Sequence, residues 1–492
     1  MFESAELGQK IEKERYNQEA PKLREELLDA QYDLSQQKRF PVIIVVGGVD
    51  GAGKSETVNL LNEWMDPRHI HTHAFSEPSD EERERPYMWR FWRALPPKGK
   101  IGILYGAWHT APIVDRVLRR CKRAHLDQAI EENIRFEKML TDEGALILKF
   151  WFHLSKDQQR KRLKALEEDP KTRWRVTDTD WDRFRMYDRF RKVSEYFIRQ
   201  TSTAEAPWVI VEGFDHCYRS LTVGNHLLQC LRQRLADKPA ERPQVKAPPM
   251  LPRIEGRDVL SSLDLTQSLT KKKYQKDLET WQGRINLLTR HPKFKSKSVI
   301  LVFEGQDAAG KGGAIRRVTS ALDSRIYQGV PIAAPTEEER AQPYLWRFWR
   351  HIPRRGRFTI FDRSWYGRVL VERVERFCSE ADWMRAYGEI NDFEMQLVRN
   401  DSIVVKFWLQ ISKEEQLKRF KEREKIAFKR FKITEEDWRN RKRWDDYHRA
   451  VCDMTERTST EVAPWTIVEA NDKWFARIKV LKTIVSRIEA AM

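Results

Sequence analysis

Two glycine-rich segments, one in each half of the 492-residue chain, carry the residue types that handle phosphate. Gly48-Val-Asp-Gly-Ala-Gly53-Lys54-Ser55 fits the pattern G-x-x-x-x-G-K-[ST] in full. In such a loop the glycines let backbone N–H groups point at phosphate oxygens. The helix that follows adds partial positive charge at its start, and the lysine reaches the phosphates. The second segment, Gly305-Gln-Asp307-Ala-Ala309-Gly310-Lys311-Gly312-Gly313, departs at one position: Gly312 stands where a Ser or Thr would hold Mg²⁺. Metal ligation must then come from elsewhere, and two carboxylates are placed for it. Asp307 sits inside the loop, and Asp362 ends the run FTIFD, 51 residues after Lys311, with Arg363 next to it. Two carboxylates facing a metal and phosphates suit phosphoryl transfer, where catalysis is mainly positioning and charge neutralisation.

The two halves differ at these positions. Where the second has Asp362-Arg363-Ser364, the first has Tyr105-Gly106-Ala107. Gly367-Arg368 becomes Thr110-Ala111, and Arg316-Arg317 becomes Asn59-Leu60. The first half keeps a phosphate cradle and lacks the groups that would drive chemistry there, so one half reads as active and the other as degenerate. Basic residues crowd two stretches of the second half. One holds Arg347, Arg350, Arg354, Arg355 and Arg357; the other holds Lys425, Lys429, Arg430 and Lys432 between two helical segments. An Arg/Lys-rich lid over the loop would screen phosphate charge in the transition state. Trp346 and Trp349 share one helical face and read as core, while Trp438, Trp444 and Tyr447 near the lid could stack a base or anchor the lid.

The elements that must position these residues are duplicated. PVIIVVGGVDGAGKSE resembles SVILVFEGQDAAGKGG, PYMWRFWR matches PYLWRFWR, and TSTAEAPWVIVEG resembles TSTEVAPWTIVEA. Every pair is offset by 257 residues, as in Lys54/Lys311 and Trp208/Trp465. A period this long means a duplicated domain. The stretch 237–256 carries five prolines and reads as an extended linker, giving domains at 1–236 and 257–492. Within each half, short β-branched runs (VIIVV, IGILY, LILKFWF and WVIVE; VILVF, FTIFD, IVVKFWL and WTIVE) alternate with helical patterns such as KDQQRKRLKAL and KEEQLKRFKER. That alternation argues for an α/β fold: two tandem P-loop kinase-like domains, each a mostly parallel sheet flanked by helices, with a helical lid. A basic helical stretch is expected after each WRFWR segment, and amphipathic helices at about Ala20–Lys38 and Val259–Thr289.

Composition narrows the partners. Hydrophobic residues at 40% and eighteen Trp exclude a mostly disordered chain. No apolar run approaches the roughly 20 residues that cross a bilayer, and the N-terminus MFESAELGQKIEKER has no apolar signal core. Five scattered Cys suggest neither disulfides nor a zinc motif, so the chain reads as soluble and cytoplasmic. The net charge of +17 attracts polyanions. No basic low-complexity tail or nucleic-acid motif accompanies it, so nucleic acid is not the expected partner.

In the second half the loop Gly305-x-Asp307-Ala-Ala-Gly310-Lys311-Gly312-Gly313, PYLWRFWR and Asp362-Arg363-Ser364-Trp365-Tyr366-Gly367-Arg368 together resemble the polyphosphate kinase 2 family. Asp437-Trp-Arg and Trp444-Asp-Asp-Tyr447 look like its segment after the lid, and the fused two-domain form resembles its subclass that phosphorylates AMP to ADP from inorganic polyphosphate. The resemblance implies Mg²⁺ as cofactor and polyphosphate and AMP as substrates, with GMP left open as an acceptor. It implies that Lys311 and the amides of Gly305, Ala309, Gly310, Gly312 and Gly313 bind the polyphosphate end being transferred. Asp307 and Asp362 would hold Mg²⁺ and the AMP phosphate, and Arg363 would neutralise the reacting phosphates. Lys429, Arg430 and Lys432 would close over them, and Arg316, Arg368 and Arg373 join the substrate-binding set. The remaining alternatives are phosphorylation of nucleoside diphosphates from polyphosphate and an ordinary ATP-dependent kinase.

Overall fold

The computed structural model describes residues 1–237, 258–426 and 433–492. The Pro-rich linker, apart from Asp237, and the lid residues Lys429, Arg430 and Lys432 lie outside the described residues. The chain divides into two compact units, Met1–Pro78 with Arg90–Ala240 and Pro335–Arg347, and Ser79–Trp89 with Glu241–Ala334 and Phe348–Met492. Each unit thus includes a short segment from the other half of the sequence.

In the first unit β1 (Val42–Gly48), β2 (Ile70–Ala74), β3 (Ile101–Tyr105), β4 (Leu146–His153) and β5 (Trp208–Glu212) form one sheet in the order β2-β3-β1-β4-β5. In the second, β6 (Ser298–Gly305), β7 (Tyr327–Pro331), β8 (Phe358–Asp362), β9 (Ser402–Gln410) and β10 (Trp465–Glu469) form the same arrangement, β7-β8-β6-β9-β10. Every pairing is parallel, so the sheets exceed the "mostly parallel" expectation. The central strands are buried along nearly their whole length, which their unbroken apolar runs require once helices cover both faces. The edge strands β2 (IHTHA) and β7 (YQGVP) were not legible in the sequence. They are short and largely solvated, so they carry no apolar run, and Pro331 is tolerated at an edge.

In the second unit the long helices Lys271–Arg290 and Lys473–Ala491 pack on one another, and the latter also lies against β9 and β10. Ile478, Leu481, Ile484, Val485 and Ile488 recur at helical spacing and fill the core with Val299, Leu301 and Phe303 of β6. Truncating Ile484, which is fully buried, to Ala would cost about 2–5 kcal/mol. Two helix expectations shift. The first-half helix runs from Lys13 to Gln37, and the second starts only at Lys271, Thr270 capping it through Lys273 N–H. The WRFW segment is itself the helix (Trp346–Trp349), and the stretch after it is a turn that leads into β8 with Pro353 in it.

Candidate active site

The C-terminal ends of β6 and β8 are adjacent, with Phe303 in register with Asp362. In a parallel sheet this edge is where loops gather into a site. Gly305 ends β6 at φ +150°, and a Cβ there would fall 2.6 Å from the Leu409 carbonyl oxygen, so only glycine lets the loop leave against β9. Gly310, at φ +109°, caps the helix Lys311–Thr319, and its carbonyl accepts the Gly313 N–H at 2.9 Å.

A buried arginine holds the loop's outer side. Arg419, on the helix Lys413–Glu424, is 2% exposed and donates to the carbonyls of Ala308 (2.9 Å), Ala309 (3.1 Å), Ala470 (2.7 Å) and Asn471 (2.8 Å). Glu415 orients it at 2.7 Å, and Gln416 donates to the Asp307 carbonyl at 3.1 Å. Arg419 thus ties the loop to the end of β10, and within the loop the Ala309 N–H donates to the Gln306 carbonyl at 3.1 Å. The sequence carries this arginine in a helix full of charge, KEEQLKRFKERE, so nothing marked it out there.

The expected residues converge on the inner side. Lys311 Nζ folds into the cup and donates to the Gly305 carbonyl at 2.7 Å. The Asp307 carboxylate, 13% exposed, accepts from Arg363 Nη2 (3.4 Å) and Asn440 Nδ2 (2.9 Å). Arg363 sits at φ +64°, its N–H on the Phe303 carbonyl at 3.0 Å, which turns the chain off β8 so that the guanidinium faces Asp307 and Glu436. Burial works against its charge, but Asp307, Glu304, Glu436 and Asp362 outweigh it and hold the guanidinium above its ordinary pKa. Gly312 and Gly313 form the first turn of the helix. A Cβ at Gly312 would meet nothing within 4 Å, so a hydroxyl would fit there and is absent for a reason other than space. Asp307 and Asp362 offer hard oxygen donors of the kind a divalent cation such as Mg²⁺ takes.

Glu304 is the residue that the sequence reading passed over. It ends the apolar run of β6, is 5% exposed, and accepts from Ser364 Oγ at 2.8 Å. Burial pushes its carboxyl pKa up, against the Ser364 hydrogen bond and the charges of Lys311 and Arg363. Its repeat partner is Gly47, and that of Ser364 is Ala107. A carboxylate in a buried strand that the other half replaces by glycine was the available signal.

Beside the loop opens a pocket with two kinds of wall. Glu304, Asp307, Arg363 and Asn440 form a polar side, and Leu370, Val371, Trp444, Tyr447 and Val451 an apolar one. Tyr447 donates to Asn440 Oδ1 at 3.2 Å, tying the helices Glu435–Lys442 and Trp444–Thr458 together. Asp437 caps the first of these through Thr434 N–H (2.8 Å), and Trp438 packs edge-on against Phe420. The other expected residues have partners or exposure of their own. Arg316 is exposed, Arg368 pairs with Glu372 at 3.0 Å, and Arg373 is held by Asp453 (2.7 Å), the Tyr387 hydroxyl (3.0 Å) and the face of Trp383.

The first unit keeps the frame and carries other residues at these positions. A buried lysine–glutamate pair underlies both sites: Lys406 with Glu394 at 2.7 Å and Lys149 with Glu137 at 2.6 Å, each glutamate also accepting a tryptophan N–H. Above it the units part. Asp50, the partner of Asp307, is paired with Lys54 (3.4 Å) and with Arg183 (3.5 Å), which replaces Asn440. His109 replaces Tyr366 and is pushed down to about 3 by burial and by Lys149 and Lys54, so it is a neutral imidazole. Phe2, fully buried, stacks on His153 (4.4 Å) and lies over Trp151 (6.2 Å), whose repeat partner Trp408 lines the open pocket of the second unit. The equivalent space is filled by the chain itself.

The family model for Polyphosphate kinase 2 matches residues 10–239 and 268–492. The chain belongs to the polyphosphate kinase 2 family. A polyphosphate:AMP phosphotransferase of Pseudomonas aeruginosa is 60% identical over 491 residues, covering 100% of this chain and 99% of that one. The Pseudomonas syringae pv. tomato protein of the same name is 56% identical at the same coverage, and that of Acinetobacter johnsonii 37% identical over 94% of this chain and 95% of its own. A crystal structure of a polyphosphate kinase 2 from Pseudomonas aeruginosa superposes with a TM-score of 0.90 at 58% identity, covering 100% of this chain and 99% of that one. Family membership accounts for the paired loops, since the model matches twice. Among the described residues, no helix is long and apolar enough to cross a membrane.

Proposed function

We propose that this polyphosphate kinase 2 moves the terminal phosphate of inorganic polyphosphate to AMP, giving ADP and a chain one phosphate shorter, in the C-terminal domain (257–492). The observation that carries it is that Glu304, Asp307 and Arg363 line one pocket with aromatic walls, with Lys311 and Asp362 close enough for their charges to act on Glu304, whereas Tyr105 and Gly106 stand where Asp362 and Arg363 do. The full-length relatives named polyphosphate:AMP phosphotransferase supply the donor and the acceptor. The N-terminal domain (1–236) carries a cradle without chemistry, joined by the linker 237–256.

An oxygen of the AMP phosphate attacks the terminal phosphorus in line, and the bridging oxygen leaves with the shortened chain. The attacking oxygen is already ionised at neutral pH, so no general base is required. The work is to hold two polyanions together and absorb their charge. Loop amides and Lys311 receive the terminal phosphate, with Lys311 turning from the Gly305 carbonyl to a phosphate oxygen. Arg363, poised between Asp307 and Glu436, lies where it can exchange a carboxylate for the phosphate in flight. Asp307 and Asp362 would hold Mg²⁺, which when bound neutralises charge shared by donor and acceptor. Trp444 and Tyr447 offer flat surfaces for the adenine. Lys429, Arg430 and Lys432, with Lys425, supply lid charge, and the net charge of +17 suits a long polyanion in the cytoplasm.

A donor and acceptor panel tests this: polyphosphate or ATP against AMP, GMP, ADP and GDP, with Mg²⁺. ADP from polyphosphate and AMP at the highest kcat/KM is expected. Preference for ATP as donor, or for diphosphate acceptors, would overturn it.

A further inference from the structure

A second cluster of ligating groups adjoins the pocket, with His448 among its lining residues. His448 and Cys452 are one turn apart on the helix Trp444–Thr458, and Asp258 reaches them from a distant part of the sequence. Asp258 Oδ1 accepts the backbone N–H groups of Leu260 (3.0 Å) and Ser261 (2.8 Å), which leaves Oδ2 facing His448 Nε2 at 2.8 Å. The oxygen, the nitrogen and the Cys452 sulfur lie within 4.8 Å of one another, and all three residues are partly buried.

We propose that Asp258, His448 and Cys452 bind one zinc-class divalent cation, clasping the start of the second domain to the helix that carries Trp444 and Tyr447. Three arguments support this. The donor set is carboxylate, imidazole and thiolate, the mixture that zinc accepts and Mg²⁺ does not. A tetrahedral zinc needs ligand atoms about 3.3–3.6 Å apart, from bond lengths near 2.0–2.3 Å. The Asp258–His448 contact therefore opens by about half an ångström, and the carboxylate is already steadied by two N–H groups, as ligating carboxylates are. In the first unit the corresponding positions are Met1, Arg191 and Glu195, and the Met1 ammonium lies 3.4 Å from Glu195. Arg191, paired with Glu3 at 3.0 Å, brings a fixed cation there, whereas the second unit places two potential anions, Asp258 and the Cys452 thiolate, around an imidazole. Leu260, Trp444, Tyr447, His448 and Val451 all line the pocket, so an ion here would stiffen its wall.

The test uses the full chain in excess Mg²⁺, which occupies sites made of oxygen alone. Zn²⁺ is titrated by calorimetry, and Co²⁺ serves as the spectroscopic probe. The expected result is one Zn²⁺ per chain and a Co²⁺ spectrum with a thiolate charge-transfer band in the near ultraviolet. Asp258→Asn and His448→Gln should weaken binding about 10–100-fold or more. Cys452→Ser should abolish the thiolate band, while Cys378→Ser, a half-buried cysteine outside the cluster, should leave it unchanged. Thermal unfolding of each variant without added Zn²⁺ checks that it is folded. Absence of stoichiometric Zn²⁺ binding, a thiolate band that survives Cys452→Ser, or undiminished affinity in His448→Gln would each show that the cluster is only a hydrogen-bonded pair beside a cysteine.

Discussion

Lys54→Ala and Lys311→Ala remove the same ammonium from two loops of one pattern, and the structure gives them different consequences. Lys311 Nζ lies 2.7 Å from the Gly305 carbonyl, inside a cup whose neighbours Asp307, Arg363 and Glu304 all belong to the site. An ammonium and a phosphate charge about 4 Å apart attract by about 4 kcal/mol at an effective dielectric near 20. If that attraction grows in the transition state, its loss lowers kcat/KM by about three decades. Lys54 donates to the carbonyls of Gly48 (2.7 Å) and Val49 (2.9 Å), but Asp50 beside it is paired with Arg183, Tyr105 replaces Asp362, and Phe2 fills the pocket. Its truncation should change activity less than about twofold while costing about 1–3 kcal/mol of stability for acceptors left unpaired. The assay is polyphosphate-dependent ADP formation well below the unfolding midpoint, with circular dichroism melts for both variants. If Lys54→Ala loses activity as fully as Lys311→Ala, the first half is catalytic and the reasoning fails.

Asp362→Asn keeps shape and removes charge, so kcat should fall on the order of 10²–10³-fold; near-full activity at saturating Mg²⁺ would remove Asp362 from the metal site. The KM for polyphosphate should climb more steeply with salt than the KM for AMP, because exposed contacts are screened as the Debye length shrinks from about 10 Å at 0.1 M to about 3 Å at 1 M. Equal slopes would argue against an extended basic path for the donor. Arg419→Gln releases four carbonyls and should lower kcat by about 10²-fold, since misplacing a group by about 1 Å costs that much; kinetics of a folded variant matching the parent would show that the loop holds its shape without it. Phe2→Ala should destabilise the first unit by about 3–5 kcal/mol and leave kcat for AMP unchanged, read by thermal unfolding and steady-state kinetics. A kcat that falls with it would tie the first unit to the chemistry.

Much was legible in the chain before any coordinates. The duplication, the two loops and the alternation of β-branched runs with helical patterns follow from local rules: glycine where the backbone must turn or approach closely, unbroken apolar residues where a strand is covered on both faces. The absence of an acid and an arginine at Tyr105-Gly106 already separated the halves. The edge strands β2 and β7 were hidden because a solvated strand needs no apolar run. Arg419 and Glu304 were hidden for a different reason. Their importance lies in partners 111 and 60 residues away, Ala308 and Ser364, and one arginine among many charged neighbours has no local mark. Arg373 shows the converse: a motif placed it near the site, and packing against Trp383 and Asp453 decided where it points. The fate of the first pocket was settled only in three dimensions, since a phenylalanine at position 2 becomes a plug only when the fold stacks it on His153 and over Trp151. Local composition determines which elements form and which chemistry is available. The long-range contacts that bury a carboxylate, orient an arginine or fill a cavity exist only once the sheet is assembled.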